Sequence, residues 1–205
     1  CRSYGGVAIC APFKRVSIVG AGMNSTVLLM GPTCEVAIWG SPISLSDLTL
    51  SDRLPLGEVT NATGYQPGLV SMDTWAAWQY NISDVSFRRV HFVGTRTDVA
   101  IFMRYARRIV VDSCLMEGGA VVITAGPLRD IQITNNIARL QGNDAKKLGG
   151  GVGAFVGGPV GGRVSSMTVV NNTLGALLPL TESDISGRVM SVNGFFEYLY
   201  VANNI

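Results

Sequence analysis

The chain has 205 residues, 47% of them apolar and only 15% charged, with a formal net charge of +2. That length supports one continuous core, and without a basic run there is no nucleic-acid or membrane-surface signature. Every apolar stretch is interrupted by Gly, Ser, Asn or charge before it reaches the length of a membrane span.

In chain order, seven two-strand units follow one another. Val7–Cys10 leads to Val16–Gly20, Val36–Trp39 to Ile43–Thr49, and Leu69–Met72 to Val85–Phe92. Val99–Phe102 leads to Ile109–Leu115, Ala120–Thr124 to Ile131–Ile137, Val152–Val156 to Met167–Thr173, and Arg188–Val192 to Leu199–Ile205. Val, Ile and Leu alternate with Ser, Thr and Gln along them, the period of a strand, and no segment of helical length shows capped 3.6-residue periodicity. The shortest step, Val99 to Ala120, is 21 residues. Longer steps carry polar or Gly-rich insertions at 52–67, 73–83, 142–151 and 177–187. A repeat in the low twenties with insertions predicts stacked turns of a β-solenoid, because a strand-turn unit cannot bury its apolar side alone.

The last three units share an Asn-Asn dipeptide just after the second strand: Asn135-Asn136, Asn171-Asn172 and Asn203-Asn204. Asn tolerates the left-handed backbone of a tight turn, and an inward second amide can bond its counterpart one turn above and below. A structural ladder of Asn136, Asn172 and Asn204 is expected, with Cys114, Val90 and Leu48 in the same file of earlier turns. Ordinary surface turns are the plainer alternative.

The repeated I-x-I-x-N-N-x pattern, with the opening Val16-Ser-Ile-Val-Gly-Ala-Gly22 and Ser25-Thr-Val-Leu, resembles the pectate-lyase-like superfamily, phage tailspike-like domains among them. The resemblance covers most of residues 7–205. It implies an all-β, single-stranded, right-handed parallel β-helix of about seven coils with loop insertions, forming one domain over 1–205. Such a scaffold hosts lyases, hydrolases, esterases, adhesins and structural spikes, so activity must come from a site. The motifs of its enzymes are missing. Gly-His-Gly with an Asp pair, clustered calcium-binding acids with an arginine, and Gln-Asp-Thr are all absent. The sole histidine, His91, reads as structural, and Asp47 with Asp52 as a solvated rim. No catalytic residue, cofactor or metal site is assigned.

Candidate binding chemistry lies in Asp73-Thr-Trp75-Ala-Ala-Trp78-Gln-Tyr80. Indole and phenol rings stack on sugar faces while Asp73 and Arg104, aligned one turn apart, could hold polar or acidic groups. Packing beneath the 54–68 loop, and a plain surface ion pair, are the competing readings. Arg88, Arg89 and Arg104 to Arg108 would suit an acidic polymer or simply a solvated face. The Gly-rich run 148–162 lacks a phosphate-loop ending and fits solenoid corners instead.

Four N-x-S/T sequons, at Asn24, Asn61, Asn81 and Asn171, suggest glycosylation in an extracellular setting. Cys1, Cys10, Cys34 and Cys114 lack zinc spacing, with Cys114 expected as a buried thiol and a Cys1–Cys10 bridge left open. The start at Cys1 and the stop directly after Asn-Asn suggest a segment of a longer solenoid, its open ends covered by neighbouring coils or subunits. The expected role is an extracellular, cell-surface or virion-surface structural module of a spike, fibre or filament, in contact with carbohydrate; the alternative is a polysaccharide lyase or glycoside hydrolase.

Overall fold

The computed structural model describes residues 7–11, 15–29, 36–40, 42–51, 69–72, 82–93, 99–103, 106–117, 120–123, 128–140, 155–157, 163–176, 191–192 and 195–205. Every regular element among them is a strand. The first half holds β1 (Val7–Ala11), β2 (Val16–Val19), β3 (Val27–Leu29), β4 (Val36–Gly40), β5 (Ile43–Ser51), β6 (Val70–Met72), β7 (Ile82–Val93) and β8 (Val99–Met103). Then come β9 (Ala106–Asp112), β10 (Leu115–Glu117), β11 (Ala120–Ile123), β12 (Arg129–Thr134) and β13 (Ile137–Leu140). The last are β14 (Phe155–Gly157), β15 (Arg163–Val170), β16 (Thr173–Ala176), β17 (Ser191–Val192) and β18 (Phe195–Ala202).

All pairings among the described strands are parallel. One sheet has seven strands in the order β1-β4-β6-β8-β11-β14-β17. The other has eleven and bends into two arms: β2, β9, β12, β15 and β18 lie on one, β3, β10, β13 and β16 on the other, and β5 and β7 run through both. Residues bonded across neighbouring rungs are 27, 42, 24, 22, 36 and 32 positions apart along the solenoid. Parallel stacking thus survives wide variation in loop length, and the chain is a parallel β-solenoid.

The bend has a backbone cause. Among the described residues nine non-Gly residues adopt positive φ, between 50° and 58°: Asp47, Asp84, Arg89, Arg108, Ser113, Asp130, Asn135, Asn171 and Asn203. Within an arm, inward residues recur every second position, as Val85 and Phe87 or Ile131 and Ile133 do. Across a left-handed residue the inward step becomes three: Leu45 to Leu48, Ile82 to Val85, Phe87 to Val90, Ile109's predecessor Ala106 to Ile109, and Ile133 to Asn136 are all buried. One αL residue turns the strand and restores its apolar side to the interior.

These corners place strand starts earlier than alternation alone indicates. β7 begins at Ile82, inside the insertion expected over 73–83, and β9 begins at Ala106 rather than Ile109. Gly20 fills a separate need, because a Cβ there would stand 2.2 Å from the Asp47 carbonyl oxygen and 2.8 Å from Leu48 Cβ. The core is a stack of inward side chains, including Leu45, Phe87, Val111, Ile133 and Val169 at successive register positions. Phe87 and Phe92 meet edge-to-face across a corner, with ring centroids 5.8 Å apart.

Candidate functional site

Each corner delivers one side chain inward and leaves its left-handed neighbour outside. Inside, Asn136 Nδ2 donates to Asn172 Oδ1 at 2.9 Å, and Asn172 Nδ2 donates to Asn204 Oδ1 at 2.8 Å. The same oxygens accept from backbone N–H groups, Asn136 N at 3.0 Å and Asn172 N at 3.0 Å. Each Nδ2 also reaches a carbonyl: Val111 for Asn136, Ile133 for Asn172 and Val169 for Asn204. Cys114 continues the file, its N–H donating to Asn136 Oδ1 at 2.9 Å and its Sγ lying 3.6 Å from the Phe87 carbonyl. Burial pushes the Cys114 thiol up to about 12, so it stays protonated.

Outside, the left-handed residues and their neighbours pair from rung to rung. Arg89 holds Asp47 with two hydrogen bonds, 2.6 Å from Nε and 2.9 Å from Nη2. Arg108 holds Asp84 the same way, with Nη2 2.6 Å from Oδ2. Asp112 is a hub: Oδ1 accepts from Thr134 and Asn135, and Oδ2 from Ser113 and, at 3.4 Å, from Arg88. Asn171 Nδ2 then donates to Asn135 Oδ1 at 3.3 Å. The carboxyls are held ionised. The Arg108 hydrogen bonds bring Asp84 down to about 2, and the Arg89 hydrogen bond lowers Asp47. Burial pushes Asp112 up, yet its bonds from Thr134, Asn135 and Ser113 and the Arg88 charge leave it below the usual range. Carboxylates saturated with donors are poor proton carriers near neutral pH.

The other arm carries a different set. His91 does not sit among core side chains: it points outward, opposite Thr49 on one side and Leu115 on the other. Its Nε2 lies 3.4 Å from Glu117 Oε2, is shielded from solvent and makes no hydrogen bond among the described residues. Arg139 Nη1 stands 3.6 Å from the other Glu117 oxygen. Thr49 and Ser51 are buried in the same outward files, and the Thr49 hydroxyl donates to the Met23 carbonyl. An imidazole beside a carboxylate is a pairing that can relay a proton.

Asp73, Trp75, Trp78, Tyr80 and Arg104 lie outside the described residues, as do the sequons at Asn61 and Asn81. Asn24 is exposed in a turn closed by the Ser25 and Thr26 N–H groups on the Gly22 carbonyl. Asn171 is exposed but tied to Asn135. Sequence reasoning missed Asp84, Asp112 and Glu117, and missed the partners of Arg88, Arg89 and Arg108. The three-residue apolar step at each corner is the signal that would have aligned them. Among the described residues no group of three or more His, Cys, Asp or Glu is placed to hold a metal ion, and no helix is long and apolar enough to cross a membrane. Comparison with protein-family models, with curated proteins and with solved structures finds no match for the chain.

Proposed function

We propose that the chain is a structural β-solenoid module of an extracellular or virion-surface spike, fibre or filament. On this reading residues 1–205 form one domain within a longer, right-handed solenoid of the pectate-lyase-like kind, and the assembly's other coils or subunits stack along the same axis. The observation that carries it is the use of the outer charges. Asp47, Asp84 and Asp112 each accept from an arginine on a neighbouring rung, so their geometry braces the stack rather than converging on a ligand. The exposed sequon at Asn24 agrees with a surface setting. The test is to incubate the recombinant chain with a panel of acidic and neutral polysaccharides while following reducing ends and unsaturated products. No product is expected.

A polysaccharide-processing role is the second reading, favoured by one feature, the His91–Glu117 pair with Arg139 beside it. Product formation that disappears in both His91→Gln and Glu117→Gln, with folding intact by circular dichroism, would establish it and remove the structural reading. Carbohydrate contact through Trp75, Trp78 and Tyr80 is tested in the same panel, as loss of glycan binding in Trp75→Ala and Trp78→Ala.

A further inference from the structure

Where β7, β9, β12, β15 and β18 enter the first arm, one register file holds Ser83, Arg107, Arg129, Ser165 and Glu197. Ser83 pairs with Arg107, and Arg107 with Arg129. The Leu128–Val164 and Ile131–Met167 pairings bracket Arg129 opposite Ser165, and Val164–Phe196 with Ser166–Tyr198 bracket Ser165 opposite Glu197. Two guanidinium side chains therefore start from adjacent rungs, roughly 4.8 Å apart.

Their neighbour Arg108 is committed to Asp84 by two hydrogen bonds, whereas Arg107 forms no ion pair among the described residues and feels Asp84 only through space. Among the described residues Arg129 pairs only with the adjacent Asp130, Nε to Oδ2 at 3.3 Å, with side chains 72% and 44% exposed, a geometry that binds weakly in water. Next in the file, the Ser165 hydroxyl is shielded from solvent and has no hydrogen-bond partner among the described residues. Arg88, Arg89 and Arg108 on this arm each meet an acid on a neighbouring rung, whereas the Arg107–Arg129 register sets like charges side by side, which repel.

We infer that Arg107 and Arg129 form a binding site for a tetrahedral oxyanion, a sulfate or phosphate group. Paired guanidinium forks present several N–H donors to such a group, and an anion between them replaces repulsion with charge-assisted hydrogen bonds. The Asp84 and Asp130 charges temper the site without occupying it, since Asp84 is held by Arg108. The site owes nothing to the structural reading above and stands or falls separately.

The oxyanion is either a free ion or part of a polymer, and two probes separate these sources. Sodium sulfate binding is measured by titration calorimetry at low ionic strength, and retention on immobilised heparin by salt gradient. The wild-type chain is expected to be retained on heparin, and the Arg107→Gln/Arg129→Gln double variant to elute earlier and to lose about tenfold in affinity for whichever probe the wild type binds. Saturable sulfate binding by the wild type marks the free ion as ligand, and retention on heparin alone marks a polymer-borne group. Arg88→Gln, whose guanidinium already faces Asp112, should show no loss. Both arginines are exposed, so circular dichroism should be unchanged. Equal behaviour of wild type and double variant with both probes, or an equal loss in Arg88→Gln, overturns the site.

Discussion

Asn172 Nδ2 donates to Asn204 Oδ1 at 2.8 Å across 32 residues of sequence, one rung after Asn136 makes the same bond to Asn172 across 36. Asn136 and Asn172 are buried, at 1% exposure each, where an unbonded amide would be costly. The file satisfies each amide with the next and ties backbone N–H groups into the same chain.

Replacing the middle member breaks the file in two places. Asn172→Ala removes the acceptor for two Asn136 donors and takes one of two donors from Asn204 Oδ1, which keeps the residue-172 N–H, at a cost of about 2–4 kcal/mol. Asn204→Ala also takes the acceptor from two Asn172 donors, but at the half-buried end of the file, where water can replace it, and should cost about 1 kcal/mol. Urea unfolding followed by circular dichroism measures both. Equal, small effects would show that the amides are not coupled.

Gly20 and Gly22 separate two reasons for glycine. Gly20→Ala would drive a methyl group into the Asp47 carbonyl and Leu48, both on an already paired strand, and should cost about 2–3 kcal/mol. Gly22→Ala meets nothing closer than Ser25 Oγ at 3.7 Å, but its φ of 132° is strained for any side chain, at about 1–3 kcal/mol. Side-chain size separates the two reasons: at Gly20 the loss in urea unfolding should grow from Gly20→Ala to Gly20→Val, because each added atom enters occupied space, whereas Gly22→Ser should cost about as much as Gly22→Ala, since only backbone conformation is at stake there. A Gly20→Ala variant as stable as the wild type would contradict the steric account.

The bidentate Asp84–Arg108 pair makes stability depend on acid. Asp84 titrates at about 2 in the fold, chiefly through the Arg108 hydrogen bonds, and near 3.9 unfolded. Its contribution is therefore complete above about pH 5 and lost as pH falls toward 2; Asp47 and Asp112, also lowered, act in the same direction. Because the pair is solvent-exposed, Asp84 contributes no more than about 1 kcal/mol. The Tm should fall over that window, and an NMR titration should find Asp84 near 2 in the wild type and closer to an ordinary aspartate in Arg108→Gln. An ordinary value in the wild type would refute the pairing.

Cys114 should behave as an inert core thiol. Burial holds it protonated, and its Sγ contacts the Phe87 and Asp112 carbonyls. Iodoacetamide at pH 8, with labelling mapped by mass spectrometry, should modify the Cys114 peptide only as fast as the chain unfolds. Labelling within minutes under native conditions would place the thiol outside the file.

The sequence by itself determined the strands and their stacking. Val, Ile and Leu at period two, recurring in the low twenties, can hide only if successive units lie over one another, and that demand is local enough to read. It also marked the corners that carry Asn-Asn, since Asn accepts the left-handed backbone such turns require. Arg89, Arg108 and Ser113 adopt the same backbone without an Asn or Gly to announce it. What only the tertiary structure decided is who faces whom outside. Rung-to-rung separations run from 22 to 42 residues, so no fixed spacing links Asp47 to Arg89, Asp84 to Arg108 or His91 to Glu117. Those meetings depend on register between strands, and each αL corner shifts by one the parity that decides which side chains face out.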